Sequence, residues 1–319
     1  MTKTTHIVQA KRFLIRMLLF LSPLVVLLAG LEGLQRYLPS DHSVKKTQLE
    51  AKLSEIDCLI LGNSHAYLGV NPAILSEGAY NLAYTAQTFV FDKFLLEKYL
   101  PQMDQLRWVI IPVSYTSFAS EAKELPGDFN QSYQFAWHYG SNYGIKPLSP
   151  KRFSLVSLLS VKKAVDRSLA HYKDARPLYE CDGNGWWIGE EKGRNLERNG
   201  IDSGNFHDFY YQEKHITTNI QRLTDMISLC KSKNVQPLLV SMPMWRSYLE
   251  HIRPERMAHT ISLADSIAGA HGVDYLNFTD DKQFVAEDFF DANHLGVSGA
   301  RKMSNILRDF MNQQSTAVQ

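Results

Sequence analysis

Residues 13–31 form one apolar run with no polar face, whereas the chain beyond residue 54 alternates short apolar runs with longer amphipathic stretches. As a helix the first run spans about 28 Å, close to the thickness of a hydrocarbon core. Arg16 lies near its start, where a long side chain snorkels to the headgroups. Lys3, Lys11 and Arg12 precede the run and favour a cytoplasmic N-terminus, while Arg36, Lys45 and Lys46 follow it and reduce the asymmetry. Residues 1–34 are therefore expected to be an uncleaved single-pass anchor. A cleaved secretory signal has the same basic start, but no small-x-small site is evident and leucines continue through Leu31 and Leu34. A core helix fits an all-apolar run poorly. With an anchor or a signal, the rest of the chain lies outside the cytoplasmic membrane, on its periplasmic or extracellular face.

Residues 35–54 are polar and charged and are expected to be a linker or short stalk. Five runs of four to six apolar residues follow, at 56–61, 79–82, 108–113, 237–242 and 273–276. Runs without alternation indicate strands buried on both faces, as in a parallel sheet. Helical stripes lie between them: Phe91, Phe94, Leu95 and Tyr99 before Pro101, then Ile216, Ile220, Leu223, Ile227 and Cys230, then Ile261, Leu263, Ala264 and Ile267. A last amphipathic helix covers 297–310. This rhythm predicts an α/β three-layer sandwich with a five-stranded parallel sheet over residues 55–312, followed by a tail at 313–319. An insertion at about 118–211 interrupts it, rich in Trp137, Tyr139, Tyr143, Trp186, Trp187, Tyr210 and Tyr211.

Composition narrows the classes. Of 319 residues, 45% are hydrophobic and 21% charged, which fits a globular chain and excludes disorder. The net charge of +1 gives no electrostatic case for nucleic acid. Cys58, Cys181 and Cys230 form neither a disulfide framework nor a zinc motif, and Cys58 and Cys230 fall on core positions.

Chemistry concentrates where strands end. The first strand delivers Gly62-Asn63-Ser64-His65 to its carboxyl edge, the edge at which ligands sit in doubly wound sheets. A serine on a glycine-opened strand-to-helix turn suits an exposed nucleophile, and helix-opening N–H groups suit an oxyanion. Serine needs a base. Near the C-terminus Asp291 stands three residues before His294, so a tight turn can set the carboxylate beside the imidazole and leave the other ring nitrogen for Ser64. Taken singly, Ser64 is equally a helix-cap residue and Asp291 a turn residue. A metal site from His65, His207 and His294 has no supporting spacing, and no metal or cofactor is expected.

On these residues the chain resembles the SGNH (GDSL-type) hydrolase superfamily. Gly62-Asn63-Ser64 matches its first block with Asn for Asp, and Asp291-Ala292-Asn293-His294 matches its last. The resemblance implies an oxyanion hole from Ser64 N–H and a second-block glycine, where Ala83 stands in Tyr80-Asn81-Leu82-Ala83-Tyr84-Thr85. The third block, Gly-x-Asn-Asp, is absent; Ser114 of Val113-Ser114-Tyr115 takes its place. Asn63, Ala83 and Ser114 are thus the expected oxyanion and substrate contacts. With its anchor and insertion, the chain looks like the membrane-anchored SGNH-like proteins of alginate acetylation and teichoic-acid D-alanylation. That likeness implies an acyl donor, a glycan acceptor and a membrane-embedded acyltransferase partner. The function expected is serine-dependent O-acyl transfer or ester hydrolysis on a cell-envelope or exported polysaccharide; the alternative is an inactive scaffold that binds glycan or organises an acylation complex. Trp186, Trp187, Tyr210 and Tyr211 are candidate sugar-stacking residues, or else a satellite core.

Overall fold

The structure, a computed structural model, describes residues 3–174, 178–188 and 195–317, and the chain divides into two compact units. One comprises residues 1–40 with 145–179. The other comprises residues 41–144 with 180–319 and contains the sheet.

In the first unit a helix runs from Lys3 to Tyr37, and its part from His6 to Tyr37 is long and apolar enough to cross a membrane. Short helices at Leu155–Leu159 and Val161–Asp174 belong to the same unit.

The second unit is built on five parallel strands: β1 (Cys58–Ile60), β2 (Ala79–Asn81), β3 (Trp108–Pro112), β4 (Gln236–Ser241) and β5 (Asp274–Asn277), in the order β2-β1-β3-β4-β5. All five expected runs are strands. Every residue of β1, β2 and β3 is buried, so both faces of the sheet are covered and the architecture is a three-layer α/β sandwich. Leu59, Leu61, Val109, Ile111 and Leu239 share one core with the helices Phe89–Tyr99 and Ile216–Ser232. Cys230 lies in that core; Cys58 and Cys181 are also buried, and all three thiols are free. The chain leaves β1 towards β2 and leaves β3 towards β4, so the order reverses between β1 and β3. A crevice opens at such a switch point, beyond the strands' carboxyl ends.

Two expectations on organisation are corrected. Residues 35–54 are not a linker: residues 35–40 belong to the first unit, and Asp41–Ala51 is a helix of the second. Leu49 lies in its main core, and Lys45 is buried with its ammonium donating to the carbonyls of Asn81 and Ala83 and seated 3.9 Å above the Tyr67 ring. Polar composition hid an amphipathic helix whose lysine satisfies itself on backbone oxygens. The residues assigned to the tail from 313 instead extend the last helix, which runs Val297–Ala317; Val318 and Gln319 lie outside the described residues.

Candidate active site

β1 hands the chain to a turn that only glycine can make. Gly62 has φ +105°, and a Cβ there would stand 1.9 Å from the Pro112 ring of neighbouring β3. Asn63 then caps the helix Ser64–Gly69, its Oδ1 accepting from His65 N–H at 3.1 Å. Ser64 is the first helical residue, half-buried at the crevice.

The partner arrives on a hairpin. β6 (Phe289–Asp291) and β7 (His294–Leu295) pair antiparallel, with Asp291 opposite His294. Asp291 Oδ1 accepts from the backbone N–H groups of Asn293 (3.1 Å) and His294 (3.0 Å), which fixes an Asx turn. The same oxygen accepts from His294 Nδ1 at 2.8 Å, and His294 Nε2 lies 2.7 Å from Ser64 Oγ. A carboxylate cannot donate, so the proton sits on Nδ1 and Nε2 faces the serine hydroxyl as an acceptor. Ser64, His294 and Asp291, separated by up to 230 residues, form one continuous relay. They line a cavity of about 790 Å³.

Ala83, the expected second oxyanion donor, is not placed at the cavity. Ala83 is fully buried, and its N–H donates to Asn81 Oδ1 at 3.0 Å, so it offers nothing to the cavity. Three residues on, Ala86 lines the cavity in the left-handed conformation, φ +57°. Among the described residues neither Ala86 N–H nor Ser64 N–H has an acceptor. The turn over residues 84–88 is tied to the nucleophile turn twice: Tyr84 N–H donates to Gly62 O (3.0 Å), and Asp92 Oδ1 accepts both Gly62 N–H (2.8 Å) and Gln87 Nε2 (2.7 Å). Burial pushes the Asp92 carboxyl up to about 7, against these two bonds, which pull it down. Sequence reading missed both Ala86 and Asp92. A small residue amid Thr85, Gln87 and Thr88 was the available signal for the first.

Asn63 and Ser114 both line the cavity, bound to each other through Asn63 Nδ2 and Ser114 Oγ at 2.8 Å. Ser114 Oγ also lies 3.1 Å from Ser117 Oγ, so this pair braces the turn. Of the four aromatic candidates, Trp187 and Tyr210 line the cavity. Trp186 does not: its indole donates to Leu68 O at 2.9 Å. Nor does Tyr211, which is buried against Tyr115 and Arg256 in a satellite core. A ring's identity does not reveal which way it faces.

His65 and His207 surround His294. Their ring centres lie 6.4 Å apart, and His65 lies 5.2 Å from His294. Burial holds His65 well below the usual histidine range and brings His207 down to about 4, so both are neutral at pH 7. His207 Nδ1 meets Tyr248 OH at 2.8 Å; His65 Nε2 meets Asn293 Nδ2 at 3.2 Å, while its Nδ1 has no partner among the described residues. Among the described residues, no group of three or more His, Cys, Asp and Glu side chains is placed to hold a metal ion.

No protein-family profile matches the chain, and no curated protein does. Solved structures similar to it include a candidate acylhydrolase from Bacteroides fragilis, 10% identical, covering 84% of this chain and 94% of that one with a TM-score of 0.43. A GDSL-like lipase from Bacteroides thetaiotaomicron is 10% identical over 85% and 98% of the two chains, with a TM-score of 0.41. A candidate platelet activating factor from Streptococcus pneumonia is 11% identical over 92% and 98%, with a TM-score of 0.42.

Proposed function

We propose that the chain is a serine-dependent acyl-ester enzyme that forms an acyl-Ser64 intermediate and passes the acyl group to a hydroxyl acceptor. The observation that carries this reading is the Asp291–His294–Ser64 relay, 2.8 Å and 2.7 Å, at a cavity lined by Ser64 and Ala86, whose N–H groups have no acceptor among the described residues. An inert scaffold needs none of these alignments. Ser64 Oγ attacks the ester carbonyl and gives its proton to His294 Nε2; Asp291 orients the ring and stabilises the imidazolium. Ser64 and Ala86 N–H groups hold the oxyanion. His294 then protonates the leaving alkoxide. In the second half, His294 takes the proton of the acceptor hydroxyl, which attacks the acyl carbon, and Ser64 leaves as the alcohol.

The finer reading is O-acyl transfer to an exported or cell-envelope polysaccharide, by a protein anchored through its first helix with the sheet unit outside. A cavity of about 790 Å³ suits a sugar acceptor, and Trp187 and Tyr210 supply faces on which a sugar ring stacks. A membrane-embedded acyltransferase would supply acyl groups. The test incubates the full chain with a small activated ester, with and without polysaccharide, and follows ester release and glycan mass. Acyl groups on the glycan, absent with Ser64→Ala, support transfer. Fast release indifferent to every acceptor makes the protein an esterase, and release that survives Ser64→Ala removes Ser64 from the mechanism.

A further inference from the structure

The helix Val161–Asp174 carries an apolar stripe that no described residue of its unit covers. Val161, Val165, Leu169 and Tyr172 recur at spacings of four, four and three, and are 52%, 39%, 47% and 69% exposed. At about 100° per residue they share one side of the helix. The adjoining side, with Ala164 and Ser168, is buried. Exposed Lys162 and Lys173 border the stripe, and exposed Lys163 lies across the helix from it.

What this stripe meets follows from where the helix is tied. Its partner is the last part of the Lys3–Tyr37 helix. Gln35 Nε2 donates to Ala164 O at 3.0 Å and to Ser168 Oγ at 2.8 Å, and Arg167 donates to Pro39 O. Glu32 accepts from the N–H groups of Leu155 (3.1 Å) and Val156 (3.0 Å) and from Ser154 Oγ (2.8 Å), while Arg36 donates to Phe153 O at 3.0 Å. Gln35 stands four residues past the apolar run, about 6 Å along the helix axis. If the run spans the hydrocarbon, this attachment falls at headgroup depth, where a helix about 10 Å across reaches the acyl boundary with one side. An apolar stripe bordered by lysines is the pattern of a helix lying in that plane.

We propose that the Val161–Asp174 helix lies on the membrane surface beside the anchor's C-terminal end, its stripe seated in the headgroup–acyl boundary. The inference rests on the anchor reading of the first helix. A second attachment fixes the rotation and height of residues 32–39, so the anchor becomes a mount rather than a tether.

Single cysteines carrying an environment-sensitive fluorophore test this in the full chain reconstituted into vesicles containing anionic lipid. Cys58, Cys181 and Cys230 are buried, so label goes to the introduced site. Val165→Cys and Leu169→Cys are read beside Lys163→Cys on the far side and Leu24→Cys in the anchor. Quenching by a shallow spin-labelled lipid should be roughly twofold or more stronger at both stripe positions than at Lys163→Cys, with iodide showing the reverse order. Iodide quenching at Val165→Cys and Leu169→Cys, with Leu24→Cys lipid-quenched, overturns the proposal and leaves the anchor intact. Shielding of the stripe from both quenchers means a protein covers it, and overturns it too. Iodide quenching at Leu24→Cys removes the anchor reading and the inference with it.

Discussion

Two turns line the cavity that Ser64 also lines, and they are held in different ways. In the hairpin of residues 291–294 the imidazole is aligned from within, since Asp291 accepts from two N–H groups within three residues of itself and from His294 Nδ1. Ala292 ties the same turn outward, its N–H donating to Asn199 Oδ1 at 3.0 Å and its carbonyl accepting from Trp245 N–H at 2.8 Å. The turn of residues 84–88 is held from outside, by a carboxylate five residues beyond Gln87 that also grips Gly62, and by a carbonyl of the nucleophile turn. In the proposed mechanism the first delivers a base, whose direction a single carboxylate can set. The second delivers to the oxyanion a backbone N–H whose position depends on a whole segment, so it needs a buried brace. The difference separates damage to chemistry from damage to alignment.

The largest effects should come from the hairpin. His294→Ala should lower ester turnover on the order of 10⁴-fold with an unchanged circular dichroism spectrum, because nucleophile and base act as one unit. Asp291→Asn keeps the turn's oxygen but lets the side chain donate, which favours the wrong tautomer; a loss of roughly 10²–10⁴ in kcat is expected. If Asp291→Asn retained full kcat, the orienting role would be wrong.

Breaking the other turn should do less to rate and more to stability. Asp92→Ala leaves Gly62 N–H and the Gln87 amide without their acceptor, which costs about 2–4 kcal/mol in denaturant titration. It should also lower kcat about tenfold with little change in KM, as the oxyanion donors loosen. Asp92→Asn, which keeps an acceptor oxygen, should restore most of both.

The pH dependence of stability should run in opposite directions at the two ends. His207 sits near 4 against about 6.5 unfolded, so the unfolded chain binds more protons between those values and stability falls as pH falls through that window. Asp92 sits near 7 against about 3.8 unfolded, so the folded chain binds more protons there and stability falls as pH rises from about 4 to 7. Each effect is on the order of 1–3 kcal/mol. Thermal melts should therefore show His207→Gln gaining on the wild type below pH 6, and Asp92→Asn gaining above it. Parallel pH profiles for wild type and both variants would contradict the assignment. The smallest effect belongs to Ala86→Gly: relief of a positive φ should add about 0.5–1 kcal/mol and leave kcat within about twofold.

The same contrast decides what the sequence made legible. Strands β1 to β4, buried almost throughout, write themselves as continuous apolar runs, and β5, half-exposed at the sheet's edge, still carries Tyr275 and Leu276, so all five were readable. A histidine and a carboxylate three apart on one turn are a local pattern. That Ala86 rather than Ala83 lines the cavity was not legible, because the path of its turn is set by Asp92 and by Lys45, which holds the carbonyls of Asn81 and Ala83 from a helix whose polar composition suggested a linker. Trp186 and Tyr211 turn away from the cavity for a related reason, Tyr211 in the satellite core that was the alternative reading. Each satisfies or buries itself against residues far along the chain, Leu68 for one and Arg256 for the other.

The central claim is that Ser64 is an activated nucleophile, and intact-mass analysis after exposure of the full chain to a fluorophosphonate tests it most directly. One adduct should form, mapping to Ser64, and it should be lost in Ser64→Ala and strongly slowed in His294→Ala. A chain that stays unmodified while folded, or an adduct that forms equally in His294→Ala, would contradict the account.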